Sequence, residues 1–195
     1  MQCLLIMCHP RKNSLNAALA DTAATALRAA GHELSIRNLY QQDFQPVLSV
    51  SDLQAIQAGL VSTVVATEAA ELQAAECLVL VFPTWWFGMP AMLKGWFDRV
   101  WGPGVAYELV QETGALLPRL HGLKRTIAIT TQGSPWWVDR LVMRQPARKV
   151  LKRAILGLCA PQSRLEFLSF YKCEKPSPKQ VEVMKRRVIS AMRCI

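Results

Sequence analysis

Four apolar runs constrain this chain most: Gln2–Cys8, Cys77–Phe82, Thr126–Thr131 and Leu165–Tyr171. They lack the in/out alternation of a strand with one wet face, so they suit parallel strands covered by helices on both sides. Each run but the last ends abruptly, at His9-Pro10, at Pro83 and at Gln132-Gly133-Ser134-Pro135. Glu33–Asn38 alternates as a shorter strand. Helical patterns fill the intervals. Leu15–Ala30 is Ala-rich and stops at Gly31, where a helix-terminating glycine belongs. Val50–Glu76 reads as a helix, weakened in its middle by Gly59 and the β-branched Val61–Val65. Met92–Trp101 has helical spacing, Val138–Leu156 is interrupted or kinked near Pro146, and Pro178–Met192 carries proline in its first turn. The β-α alternation predicts an α/β fold, an open doubly wound parallel sheet of five strands.

The chain has 195 residues, close to one domain's worth, and a single domain over residues 1–195 is expected. Hydrophobic residues at 51% and charged residues at 19% exclude a disordered or fibrous chain. No apolar stretch approaches the ~20 residues that span a bilayer, so stable membrane insertion is not expected. Met1–Pro10 has neither a basic leader nor a cleavage site, and a cytoplasmic location follows as the expectation. The six cysteines form no Cys-x-x-Cys pair and no zinc spacing, so they are expected to be reduced, buried and without metal.

Charge divides the chain. Residues 1–118 hold 6 Lys/Arg against 10 Asp/Glu (−4), and residues 119–195 hold 17 against 4 (+13). Such a basic half fits nucleic acid, a membrane surface, an anionic ligand such as a phosphorylated nucleotide, or simply a solvated face. Nucleic acid is disfavoured, because the aromatic residues gather in sheet-end loops rather than among the C-terminal cations.

In doubly wound sheets ligands sit beyond the carboxyl ends of the strands, which singles out three loops. The first, His9–Asn16, offers an imidazole, two cations, a hydroxyl and two amides where a helix begins. Phosphate binds such helix starts, although Ser14 or Asn13 serves equally as an ordinary helix cap. The second, Pro83-Thr84-Trp85-Trp86-Phe87-Gly88-Met89-Pro90, places three consecutive aromatics between prolines at a strand end. That is a poor way to fill a core and a good wall for a planar conjugated ring. The third, Thr130-Thr131-Gln132-Gly133-Ser134-Pro135-Trp136-Trp137, leaves its strand with hydroxyls and a glycine that lets backbone approach a ligand.

The segment Phe82–Val100, with Phe-Pro-x-x-Trp-Phe-Gly-x-Pro-Ala-x-Leu-Lys-Gly-Trp-Phe-x-Arg-Val, resembles the flavodoxin-like NAD(P)H:quinone oxidoreductases, the group of DT-diaphorase and its bacterial relatives. The resemblance recurs at His9, Ser14 and Asn16 and at Thr130-Thr131-x-Gly133. It implies a parallel sheet of order 2-1-3-4-5 carrying non-covalent FAD, or FMN. By the same resemblance His9, Ser14, Leu15 and Asn16 contact the flavin phosphates and ribityl chain. Pro83, Thr84, Trp85, Trp86 and Phe87 line the ring, with Thr130, Thr131, Gln132 and Gly133 on its other side. Tyr107 matches a tyrosine that reaches the substrate pocket of a partner subunit, which implies a homodimer. The family's tyrosine and histidine after the Thr-Thr-Gly-Gly loop have no counterpart, because the only histidines are His9, His32 and His121. The backbone N–H groups of Gly133 and Ser134, helped by Arg140 or Arg144, are therefore expected to steady the charge on a reduced flavin.

The resemblance implies hydride transfer from NAD(P)H through flavin N5 to a quinone-like acceptor, with ping-pong kinetics. Reduction of azo or nitro aromatics and a regulatory flavoprotein subunit of a membrane transport system are the alternatives. A one-electron carrier fits less well, since this chain is basic.

Overall fold

A computed structural model of the chain describes residues 1–110 and 112–195. Five parallel strands form the main sheet: β1 (Gln2–Met7), β2 (Glu33–Asn38), β3 (Cys77–Pro83), β6 (Arg125–Thr131) and β7 (Arg164–Phe170), in spatial order β2-β1-β3-β6-β7. Counting only these parallel strands, that is the expected 2-1-3-4-5. The central strands β1, β3 and β6 are buried along nearly their whole length, and the edges β2 and β7 are less so. Helix coverage of both faces accounts for the missing alternation.

Two cores sandwich the sheet. On one side α1 (Leu15–Ala29) and α7 (Pro178–Met192) pack Leu19, Ala23 and Val188 against Leu5, Val79 and Ile129. On the other, α3 (Ala66–Ala74) and α4 (Ala91–Val100) bring Leu72, Leu93 and Trp96 onto Leu4, Leu78 and Leu80. Helix α1 is capped by the Ser14 hydroxyl, which accepts from Ala17 N–H at 3.1 Å. It ends at Gly31, which adopts φ +77°.

Three stretches differ from the sequence reading. The helix expected over Val50–Glu76 is broken into α2 (Val50–Gln57), a 3-10 turn (Thr63–Val65) and α3, with Gly59 at φ +68° between them. The β-branched run loses side-chain freedom in a helix and does not sustain one across the glycine. The helix expected over Val138–Leu156 opens as a π-helical turn (Val138–Val142), reverses at Arg144 and Gln145 (φ +57° and +52°), and resumes as α5 (Pro146–Lys149), a π-helical stretch (Val150–Leu156) and α6 (Gly157–Cys159). The residue before a proline is pushed out of the helical region, so the break falls one residue ahead of Pro146. A small antiparallel hairpin, β4 (Tyr107–Leu109) with β5 (Leu116–Pro118), was not foreseen, being too short to show a period. Of the cysteines Cys3, Cys8, Cys77 and Cys159 are buried, but Cys173 is half-buried and Cys194 exposed, contrary to the expectation that all are internal.

One long-range contact shapes the α4 side. The segment Gln45-Pro46-Val47 crosses α4 at Gly95, where an added Cβ would lie 2.2 Å from the Pro46 carbonyl oxygen. Beneath this strap Arg99 (5% exposed) pairs with Asp52 (3%) through Nε at 3.1 Å and Nη2 at 3.2 Å, and donates from Nη1 to the Gln45 carbonyl. Burial works against the Asp52 carboxylate. The Ser49 N–H and hydroxyl, Arg99 and the Ser62 hydroxyl outweigh it and hold the group well below the usual carboxylate range.

Candidate functional site

The three loops selected by the doubly wound topology converge because β1, β3 and β6 are neighbours running the same way. Two polar pairs tie them together. Asn16 Nδ2–H donates to Thr131 Oγ1 at 2.9 Å, and the Thr131 hydroxyl lies 3.3 Å from Asn16 Oδ1, so the first and third loops meet in a buried contact. The Thr84 and Thr130 hydroxyls are hydrogen-bonded to each other, and Thr84 N–H donates to the Thr131 carbonyl at 2.8 Å. Asn16, Thr130, Thr131 and Gln132 are all buried polar groups at this edge.

The first loop begins at His9, half-buried at the end of β1. Arg11 N–H donates to His9 Nδ1 at 3.0 Å, so Nδ1 is an acceptor and the neutral ring carries its proton on Nε2. Burial lowers the His9 pKa, and the neighbouring Arg11 charge lowers it further. The first turn of α1 contains no acidic residue. Leu15 and Asn16 N–H groups donate to no protein acceptor among the described residues, which leaves the positive end of the helix open to an anion.

The second loop, like Arg144–Gln145, has two successive non-glycine residues at positive φ. Trp86 and Phe87 both adopt left-handed conformations (φ +51° and +59°) at the corner of a tight reversal. Trp85 and Gly88 exchange backbone bonds at 3.2 and 2.9 Å. Positive φ at both central positions is the pattern of a type I′ turn, which favours Gly, Asn or Asp. Aromatic residues there carry strain, and the Trp86 ring gains no packing in exchange, being 99% exposed. Trp85 is also exposed and Phe87 half-buried. By contrast Trp96 and Phe97, one helix later, are core residues in edge-on contact.

The third loop is strapped to the end of β7. Gln132 N–H donates to the Phe170 carbonyl (3.0 Å), and the Gln132 carbonyl accepts from Cys173 (3.0 Å). The Ser134 carbonyl accepts from Lys172 (3.4 Å), and the Ser134 hydroxyl donates to Gln132 Oε1 (3.1 Å). The N–H groups of Gly133 and Ser134 have no protein acceptor among the described residues. A Cβ on Gly133 would lie 2.8 Å from Glu174 Oε1, so the glycine admits that side chain.

Arg140 and Arg144 are both exposed. Arg140 Nε–H donates to the Tyr171 phenol oxygen at 3.3 Å, and that phenol donates to buried Asp139 at 3.0 Å. Asp139 and Tyr171 were not foreseen: thirty-two positions separate them, and neither sits in a motif. Tyr107 lies in β4, half-buried against the α3/α4-side core rather than at the three-loop edge of its own chain, with burial raising its pKa.

The site's donors fit a phosphorylated planar ring. The α1 N-terminus, His9 Nε2 and the Ser14 hydroxyl of the first loop suit a phosphate tail. The exposed aromatic turn suits a ring, and the unpaired N–H groups of Gly133 and Ser134 suit a negatively charged ring edge.

The fold and this edge together define a flavodoxin-like α/β protein. A family model described as flavodoxin-like fold matches residues 1–189, and the chain belongs to that family. It is 32% identical to the guinea pig (Cavia porcellus) NAD(P)H dehydrogenase [quinone] 1 over 150 residues, covering 67% of this chain and 53% of that protein. The chain thus spans about half the length of the curated relatives it matches. Among solved structures, Smu.1420 from Streptococcus mutans UA159 superposes with TM-score 0.88 at 30% identity, covering 100% of both chains. An FMN-dependent NADH-azoreductase from Bacillus anthracis in complex with FMN gives 0.74 at 17% identity, covering 100% of this chain and 99% of its own.

Proposed function

We propose that residues 1–195 form a single flavin-binding domain that works as an NAD(P)H oxidoreductase on quinone-like acceptors. The observation that carries this reading is the Trp86–Phe87 turn, where strained backbone holds bare aromatic surface at the edge that also carries the unpaired N–H groups of Leu15 and Asn16 and of Gly133 and Ser134. A bound flavin would supply the redox chemistry, accepting hydride from NAD(P)H at N5 and passing two electrons to the acceptor. The chain's own residues position and polarise. His9 Nε2, the Ser14 and Asn16 region and the start of α1 hold the phosphate. Pro83 to Phe87 form the ring wall, and Thr130 to Gln132 brace the opposite side. Gly133 and Ser134 N–H groups stabilise negative charge at the ring edge, with Arg140 and Arg144 adding positive potential from the following turn.

FMN is favoured over FAD, because a relative of the same fold, covered almost end to end by this chain, carries FMN in its structure. The protein is proposed to act as a homodimer in which Tyr107 faces the partner's site. The exposed apolar side chains of Val47, Val50, Leu53 and Val64 around the strap give a second copy an apolar surface to meet. Azo-aromatic reduction is a second reading, favoured by the open, ring-bearing turn, which accepts flat substrates by stacking.

The test is to load the protein with FMN, mix it with NADH or NADPH without oxygen, and follow the flavin colour. Rapid bleaching, recovery on adding a quinone, and parallel lines in double-reciprocal plots are expected. Protein that binds FMN but is not bleached by either nucleotide overturns the enzymatic reading. Replacing Arg140 and Arg144 together by Met should slow bleaching, and an unchanged rate removes their assigned role.

A further inference from the structure

The segment following β6 carries a surface of which the redox reading uses only Arg140 and Arg144. Trp136, Trp137, Leu141, Val142 and Met143 are all exposed, Leu141 and Val142 by 65% and 61%. Among and just after them stand six exposed cations, Arg140, Arg144, Arg148, Lys149, Lys152 and Arg153. Residues 140–165 contain no aspartate or glutamate. Of the nearby acids, Asp139 is buried and accepts from Tyr171, and exposed Glu174 lies against Gly133 at the loop side of this surface.

We propose that this surface docks reversibly on an anionic lipid bilayer. Tryptophan settles at the boundary between headgroups and acyl chains, while leucine, valine and methionine enter its apolar side. Arginine and lysine bury their aliphatic stems and leave their charges among the lipid phosphates. No helix among the described residues is long and apolar enough to cross a membrane, so the contact is with the surface. Two other occupants fit less well. Nucleic acid would use the cations but has no use for adjoining exposed leucine, valine and methionine. A second copy meeting this surface with its own would oppose six cations with six more, and no exposed carboxylate of the segment would relieve them. Trp136 lies two residues beyond Ser134, so the docked face adjoins the edge where the three loops meet.

The experiment uses the full FMN-loaded chain and sedimentation with vesicles of phosphatidylcholine alone or mixed with phosphatidylglycerol. Binding is expected to the mixed vesicles, to fall steeply with salt, and to shift tryptophan fluorescence to the blue. Replacing Arg148, Lys149, Lys152 and Arg153 together by Gln should weaken it roughly 100-fold, several-fold for each cation removed. The pair Leu141→Ser and Val142→Ser should weaken it at low salt too. Flavin content and thermal melting identify any variant that has failed to fold, and the salt series on the unaltered protein tests the inference without a variant. Equal binding to neutral vesicles, or none to either kind, overturns it. So does finding that the Leu141/Val142 variant changes the oligomeric state while vesicle binding stays the same, which would make the face a contact between copies. Because vesicle binding needs no redox turnover, failure here is distinct from failure to bleach with NAD(P)H.

Discussion

Two exposed apolar surfaces of this molecule carry opposite electrostatics. Around the strap and α2, the stretch from residue 38 to residue 93 contains no lysine or arginine at all. Beyond β6, the stretch from 140 to 165 contains no aspartate or glutamate. Both expose aliphatic side chains, so burial of apolar area gives each a reason to find a partner. Charge separates them: the first suits another apolar protein surface, the second an anionic one. They also differ underneath. The strap rests on a buried ion pair and a glycine crossing, and the basic segment on the Tyr171–Asp139 contact and on Leu151 and Leu156 in the core.

The largest effect expected is from Arg99→Met. It leaves Asp52 buried without its guanidinium, and should cost about 3–5 kcal/mol in a urea melt. Because Asp52 is held below the ordinary carboxylate range, the unfolded chain takes up a proton first as pH falls. The pair's contribution is therefore present above about pH 4 and lost below it. The variant should accordingly show a shallower loss of stability in acid, and an unchanged acid limb would break the assignment.

Gly95→Ala comes next. Its methyl group would meet Pro46 backbone, including Cα at 2.6 Å, and should cost about 1–3 kcal/mol while lifting the strap. If the strap surface joins two copies, sedimentation velocity should show the variant dissociating at concentrations where the parent remains paired. Vesicle binding should be unaffected, which keeps the two surfaces apart experimentally.

Tyr171→Phe removes the shorter of two side-chain donors to Asp139, leaving the buried carboxylate only Gln145 Nε2–H at 3.4 Å, at a cost of about 1–3 kcal/mol. Here the strap surface should be indifferent, and thermal melting with and without vesicles reports on the basic segment. The smallest change in stability is expected from Trp86→Gly. It relieves about 1 kcal/mol of left-handed strain and loses no packing, so the protein should melt at the same temperature or slightly higher. FMN affinity, measured by fluorescence quenching, should fall, and a variant that binds FMN as before would separate the turn from the cofactor.

Much of the fold was legible because it rests on local pattern. Cys77–Phe82 reads as an inner strand since every residue is apolar, and it is buried throughout. Gly31 marks the end of α1 because few other residues tolerate its backbone. The three loops of the site were legible from topology plus residue type. Their mutual contacts were not: Asn16 and Thr131 stand 115 positions apart. The break before Pro146 was visible, but its reversal at Arg144 and Gln145 was not, since neither residue type favours positive φ.

By itself the sequence determined which segments become strands buried on both faces, the order in which they are strung, and which three loops leave their carboxyl ends. Those properties follow from side-chain hydrophobicity and from backbone preferences that act over a few residues. The tertiary structure alone decided that Pro46 crosses Gly95, that Asp52 meets Arg99, that Tyr171 reaches Asp139, and that Trp86 stands bare on a strained turn. Each is a contact or a strain sustained only once distant parts of the chain have packed, so no local pattern announces it.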